Sequence, residues 1–125
     1  MSSLPILDQD MFQELQETTG PSPDSIATIY TTFTANASRT IASLPLETAT
    51  AREEKLHILK GSAAMVGAAR MAKLAADLHA VCSDLPVHAL EAGIRHLEDE
   101  LGVFRQVIDA RLERLASSRA SNMQL

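Results

Sequence analysis

Apolar residues recur every three to four positions along most of the chain, the spacing that places them on one face of an α-helix. Gly, Pro and short polar stretches interrupt this pattern and divide it into one short segment and four longer ones. The longer apolar stripes occupy residues 26–44, 56–66, 71–85 and 90–115. The pattern therefore predicts five helices, of which four are long enough to build a core.

Capping residues and helix breakers predict the boundaries. Asp8 is placed to cap a short first helix, and Ser22 followed by Pro23 is a strong start signal for the second. The third helix is expected to begin between Glu47 and Thr50. The helices are expected to end at four breaks: Gly20-Pro21, Pro45, Gly67 and Asp84-Leu85-Pro86.

Short connections between amphipathic helices force neighbours to run antiparallel. The predicted fold is all-α, an antiparallel up-down four-helix bundle with a short extra N-terminal helix. We expect a single domain over residues 1–125, with its core in about residues 6–116 and a frayed polar tail at 117–125. Nothing in this arrangement requires a dimer, so we expect a monomer.

Composition agrees with a helical domain. The 125 residues are 46% hydrophobic and 22% charged but only 3% aromatic, and Trp is absent, which disfavours a β-sandwich or barrel. Cys82 is the single cysteine, which excludes an intramolecular disulfide and a cysteine-based zinc site. One unpaired thiol fits a reducing cytosol, so we expect a cytoplasmic protein.

The charge is uneven along the chain. The net charge is −5, which argues against nucleic acid as a partner. Residues 51–82 nevertheless hold five bases and three acids, which favours an acidic or phosphorylated partner for that segment. No apolar run approaches the length of a membrane span and no signal peptide is recognisable, so direct membrane insertion is not expected.

The most informative residues are His57, Lys60 and Gly61 in the predicted third helix. Spacings of three and four place them together on one flank, beside the core stripe of Leu56 and Leu59. A glycine inside a helix costs ~1 kcal/mol relative to alanine, so Gly61 needs a reason. Either another molecule must approach His57 closely, or a neighbouring helix must.

This stretch resembles the motif of histidine-containing phosphotransfer (HPt) domains of two-component phosphorelays. The matching residues are His57, Leu59, Lys60, Gly61, Ser62, Ala63, Ala64, Gly67 and Ala68. The resemblance implies that His57 accepts a phosphoryl group from a receiver-domain aspartate and passes it to another receiver. It also implies that Lys60 helps neutralise that group and that Gly61 clears space for the partner.

The resemblance further implies the partners: receiver domains of response regulators or of hybrid histidine kinases. The Mg²⁺ ion and its acidic ligands are then expected on the receiver, and no cofactor is expected on this chain. The chain departs from the family at Leu78-His79, where a Leu-Glu or similar pair is usual. If the helices pack as in the family, His79 faces His57 and is a candidate orienting residue.

Other functions have weaker support. Neither a Walker-type nor a dinucleotide-type glycine loop is present, so the sequence indicates a phosphoryl carrier and not a kinase. Glu54-x-x-His57 has the spacing of di-iron bundles but lacks a second copy, and His79 with Cys82 would supply only two metal ligands. The alternative function is a phosphorylation-independent helical interaction module, which would have no use for an exposed histidine beside a bare glycine. The chain could equally be free-standing or the C-terminal module of a membrane-anchored hybrid sensor kinase.

Overall fold

Five α-helices make up the part of the chain that the computed structural model describes, which is residues 4–20 and 22–123, with side chains to Ser118. No strand occurs within these ranges. The elements are α1 (Gln9–Thr19), α2 (Pro23–Ser43), a 3₁₀ turn (Leu44–Leu46), α3 (Ala49–Met65), α4 (Ala69–Val81) and α5 (Val87–Met123).

The helix starts follow from side-chain caps. The Asp8 carboxylate accepts hydrogen bonds from the backbone N–H groups of Asp10 and Met11, at 3.0 and 3.2 Å. Ser22 caps α2 with Pro23 in its first turn, and Thr48 caps α3 by accepting from the Ala51 N–H at 3.2 Å. The predicted start of α3 is therefore confirmed.

Helices α2 to α5 form a four-helix bundle in which consecutive helices are neighbours and α5 also packs against α2. Helix α1 covers one end, where the Asp8 N–H donates a 2.7 Å hydrogen bond to the Gly67 carbonyl. Gly67 has a φ of +80°, and a Cβ atom there would lie 3.1 Å from the Met11 Cβ. Glycine thus lets the chain turn after α3 while α1 closes on that turn. The predicted all-α bundle with an extra N-terminal helix is confirmed.

An aromatic cluster ties α1, α2 and α5 together. The Phe12 and Tyr30 ring centroids lie 5.7 Å apart, and Phe104 contacts the rings of both Tyr30 and Phe33 at centroid distances of 6.1 and 5.6 Å. Such pairs stabilise a core beyond the apolar area they bury. The Tyr30 hydroxyl donates a 2.8 Å hydrogen bond to the Val66 carbonyl, which fixes the end of α3 to α2.

Two boundaries differ from the prediction. Helix α4 ends at Val81, so Leu85 lies in the turn that follows. Val81, which the apolar spacing predicts on the core stripe, is 45% exposed, while Cys82, just after the helix, is buried. Residues 117–123 of the predicted frayed tail are helical, because neither Gly nor Pro follows Gly102 to end α5. The tail residues 124–125, like Pro21 of the first predicted break, lie outside the described residues.

Among the helices described here, none has both the length and the apolar composition that crossing a membrane requires.

Candidate functional site

His57 lies in the middle of α3 on its exposed side. Leu56, Leu59 and Ala63 are buried and fix the rotation of the helix. The imidazole of His57 is next to this stripe but exposed to solvent. The start of α3 is held by Arg52, whose Nε and Nη2 atoms each donate a 2.9 Å hydrogen bond, to the carbonyls of Leu44 and Glu47. The histidine is therefore presented from a rigid element.

Gly61 leaves the surface beside His57 bare. Gly61 is exposed, and a Cβ atom built on it would meet nothing within 4 Å. Close packing of a neighbouring helix, one of the two explanations that the sequence left open, therefore does not account for this glycine. Clearance for another molecule stays a prediction for Gly61, which lies one helical turn from His57 on the same flank.

Lys60 lies one helical turn after His57 on α3, next to Gly61, and is partly buried. Among the described residues it forms no ion pair. Its ammonium group is thus not committed to a carboxylate of the fold. A flexible cation one turn from the imidazole suits the neutralisation of an anion bound there.

Helix α4 brings His79 to this site. The ring centroids of His57 and His79 lie 5.7 Å apart, with their planes inclined at 45°. His79 is partly buried because it follows the core residue Leu78 on the flank of α4 that faces α3. The structure thus brings His57, Lys60, Gly61 and His79 together in one place.

Two apolar side chains that the sequence analysis did not single out are exposed on the same helix as His57. Ile58 is 57% exposed and Met65 is 72% exposed. Together with Phe33 they line an open groove of about 500 Å³ between α2 and α3. In the sequence pattern both residues lie off the core stripe of α3, and this position could have identified them as exposed. Large apolar residues exposed beside a polar site are typical of a protein-docking surface.

The remaining candidate ligands do not assemble into a metal site. Among the described residues, no group of three or more His, Cys, Asp or Glu side chains is placed to hold a metal ion. The thiol of Cys82, just after α4, is buried and donates to the His79 carbonyl at 3.7 Å, a local contact at the end of the helix. Glu53, one turn before His57, accepts a hydrogen bond from the hydroxyl of Ser83, in the turn that follows α4.

Comparisons with known proteins agree with this geometry. The model of the Hpt domain family matches residues 28–118. Among solved structures, a histidine-containing phosphotransfer protein from rice is similar with a TM-score of 0.78 at 22% identity, covering 92% of this chain and 85% of that one. One from Medicago truncatula has a TM-score of 0.76 at 23% identity, covering 94% and 83%. At these identities the likeness shows the fold. No curated protein matches the sequence significantly.

Proposed function

The chain belongs to the Hpt domain family, whose members are phosphotransfer carriers and not kinases, and from this premise we propose that His57 is the residue that carries the phosphoryl group. The observation on which this proposal rests is an exposed imidazole beside a helical glycine that no part of the fold needs. A module that only docks other proteins would gain nothing from this combination.

The chemistry follows from the residue types. A neutral imidazole nitrogen of His57 attacks the phosphorus of an aspartyl phosphate on a receiver domain. A nitrogen–phosphorus bond forms, the phosphorus–oxygen bond to the aspartate breaks, and its electron pair stays on the released carboxylate. The other imidazole nitrogen keeps its hydrogen. The reverse step, on a second receiver, passes the group onward.

The surrounding residues position the reacting groups and neutralise the charge of the phosphoryl group. Phosphoryl transfer depends mainly on in-line placement and on charge stabilisation. Lys60 supplies positive charge from this chain, while the Mg²⁺ ion and its acidic ligands are expected on the receiver. His79 lies where it can orient the His57 ring. Gly61 leaves room for the receiver, and the exposed Ile58 and Met65 offer apolar contacts on the same side of α3.

The relay between two receivers and a cytoplasmic location are part of this proposal. The monomeric state stays a prediction from the sequence, which leaves open both a free-standing protein and a module of a hybrid kinase. The chain's positive middle segment supports an acidic surface on the partner, around its phosphorylated aspartate.

Phosphoryl transfer from a phosphorylated receiver domain tests the proposal. Wild-type chain should gain phosphate that is labile in acid and stable in base, as a nitrogen–phosphorus bond is. His57→Gln should gain none, while its helicity and melting temperature stay unchanged, because the side chain is exposed. His96→Gln, the same change at an exposed position on α5, is the matched control and should accept phosphate normally.

Two results would contradict the proposal. Acid-labile phosphate on His57→Gln would mean that another residue is the acceptor. A receiver that binds the wild-type chain stably without transferring phosphate would favour the interaction module instead.

A further inference from the structure

The pairing of two histidines across α3 and α4 goes beyond what a phosphoryl carrier requires. The ring centroids are 5.7 Å apart, and no described residue makes a hydrogen bond to either imidazole. The nitrogens of His79 are therefore uncommitted in the fold. The His79 ring is the immediate neighbour of the ring that the proposed function would phosphorylate.

The ionisable groups near His79 carry charges of both signs, the Lys60 ammonium and the Glu53 carboxylate. On α3 the ionisable side chains of this flank are His57, Lys60 and Glu53, and the Glu53 carboxylate is already bonded to the Ser83 hydroxyl. Helix α5, the other element packed on α4, contacts it where Gly93 lies against Leu78, about 100° around the helix from His79. No described carboxylate forms an ion pair with His79.

We propose that His79, as an imidazolium, donates a hydrogen bond to the phosphoryl group on His57, so that the chain holds phosphate more firmly when His79 is protonated. This inference rests on the proposed function of His57. His79 forms no bond to phosphorus: it takes one proton from solvent when the group arrives and returns it when the group leaves. The site would then couple phosphate retention to pH.

The physical basis is linkage between a proton and a phosphoryl group. A phosphoryl group adds about −1.5 to −2 charges near neutral pH, and hydrogen bonds between ionised groups are about twice as strong as neutral ones. Histidine changes its charge between about pH 5 and 8. Because coupling between two sites is reciprocal, protonation of His79 stabilises the phosphoryl group as much as the phosphoryl group favours protonation of His79.

The test is the half-life of phosphate on His57 as a function of pH. The chain is phosphorylated with phosphoramidate, a small donor that needs no receiver, and the donor is removed. Decay is followed from about pH 6 to 8.5 for wild type, His79→Gln and the control His96→Gln. A glutamine can still donate a hydrogen bond but cannot become charged, so the ratio of wild-type to His79→Gln half-lives isolates the charge.

We expect this ratio to be about threefold or more near pH 6 and to approach one near pH 8.5, following the loss of the imidazolium. His96→Gln should follow wild type throughout. A ratio that does not change with pH overturns the inference while leaving the proposed function intact. No phosphate on His57 in any chain overturns the proposed function, and this inference with it.

A measurement on the wild-type chain makes the test independent of the variants. The NMR signals of the His79 ring are titrated before and after phosphorylation of His57. The midpoint should move upward by about half a pH unit or more, because the phosphoryl group holds the proton on His79. An unmoved midpoint overturns the proposal.

Discussion

The Tyr30 hydroxyl on α2 donates a 2.8 Å hydrogen bond to the carbonyl of Val66 at the end of α3. Both residues are buried, at 1% and 8% exposure. The bond holds the end of α3, the helix that carries His57, against the rest of the bundle, and it also satisfies a carbonyl left free where α3 stops.

Removing this hydroxyl should therefore weaken the fold without altering the site. Tyr30→Phe keeps the ring contacts with Phe12 and Phe104 but leaves the Val66 carbonyl without its donor. We expect a loss of about 1–2 kcal/mol in the free energy of unfolding, with an unchanged denaturant slope. Urea unfolding measures it, and a change close to zero would mean that water replaces the hydroxyl. Phosphate acceptance on His57 should be retained.

Tyr30 also predicts that the stability of the fold depends on pH in the alkaline range. Burial, with a smaller effect from the Asp8 carboxylate, raises the pKa of the Tyr30 phenol above its usual range. Above about pH 10 the unfolded chain releases this proton while the folded chain keeps it, so stability present below pH 10 is lost as the pH rises. Tyr30→Phe should lose less stability than wild type over that interval. Tyr30 is the only tyrosine, so the absorbance of tyrosinate should appear together with unfolding.

Helix positions were predictable from the sequence because the caps and breaks are chemically distinct. Asp8, Ser22-Pro23 and Gly67 each occupy the cap or turn position that their chemistry favours. The core face of α4 was not predictable in the same way. This helix is rich in alanine, so further apolar residues border the predicted stripe, and the stripe does not fix the rotation of the helix. Val81 on the stripe is exposed, and Cys82, just after the helix, is buried.

The site likewise combines features that one helix determines with features that depend on how two helices pack. The shared flank of His57, Lys60 and Gly61 follows from helical periodicity within α3 alone. The approach of His79 depends on the rotation of α4 against α3, which no single-helix pattern determines; the family resemblance, not periodicity, suggested it. Ile58 and Met65 were overlooked because apolar residues off a stripe are common on protein surfaces and carry little information one at a time.

Lys60 should contribute to the phosphorylated state and little to the fold. It has no ion-pair partner among the described residues, and an unpaired, only partly buried charge at the surface changes stability by about 0.5 kcal/mol or less. Lys60→Ala should shorten the half-life of phosphate on His57 about threefold to tenfold, because one cation near the group is lost.

The control for Lys60 is a lysine that is already paired. Lys73 on α4 forms an exposed ion pair with Asp77 at 2.8 Å, and Lys73→Ala should leave the half-life unchanged. Lys60→Arg, which keeps the charge, should retain most of the wild-type half-life of phosphate on His57. An Ala variant at position 60 with the half-life of wild type would remove Lys60 from the site.

Gly61 offers the sharpest separation of docking from chemistry, because the chain contains a matched glycine. Gly61 and Gly102 both lie inside helices, and a Cβ atom added at either position would meet nothing within 4 Å, but only Gly61 lies beside His57. Glutamine is a good helix former, so Gly61→Gln and Gly102→Gln should each leave stability unchanged or raise it by up to ~1 kcal/mol.

Only Gly61→Gln should then slow transfer from a phosphorylated receiver, by about tenfold, a change of ~1.4 kcal/mol in barrier or affinity. Labelling of His57 by phosphoramidate should stay normal in both variants, because a small donor does not need the cleared surface. Initial transfer rates and thermal melting measure the two effects. A stable Gly61→Gln chain with a normal receiver rate would show that no partner approaches this face closely. A loss of both receiver and phosphoramidate labelling would place the effect on the His57 ring itself, since obstruction of docking acts only on the larger donor.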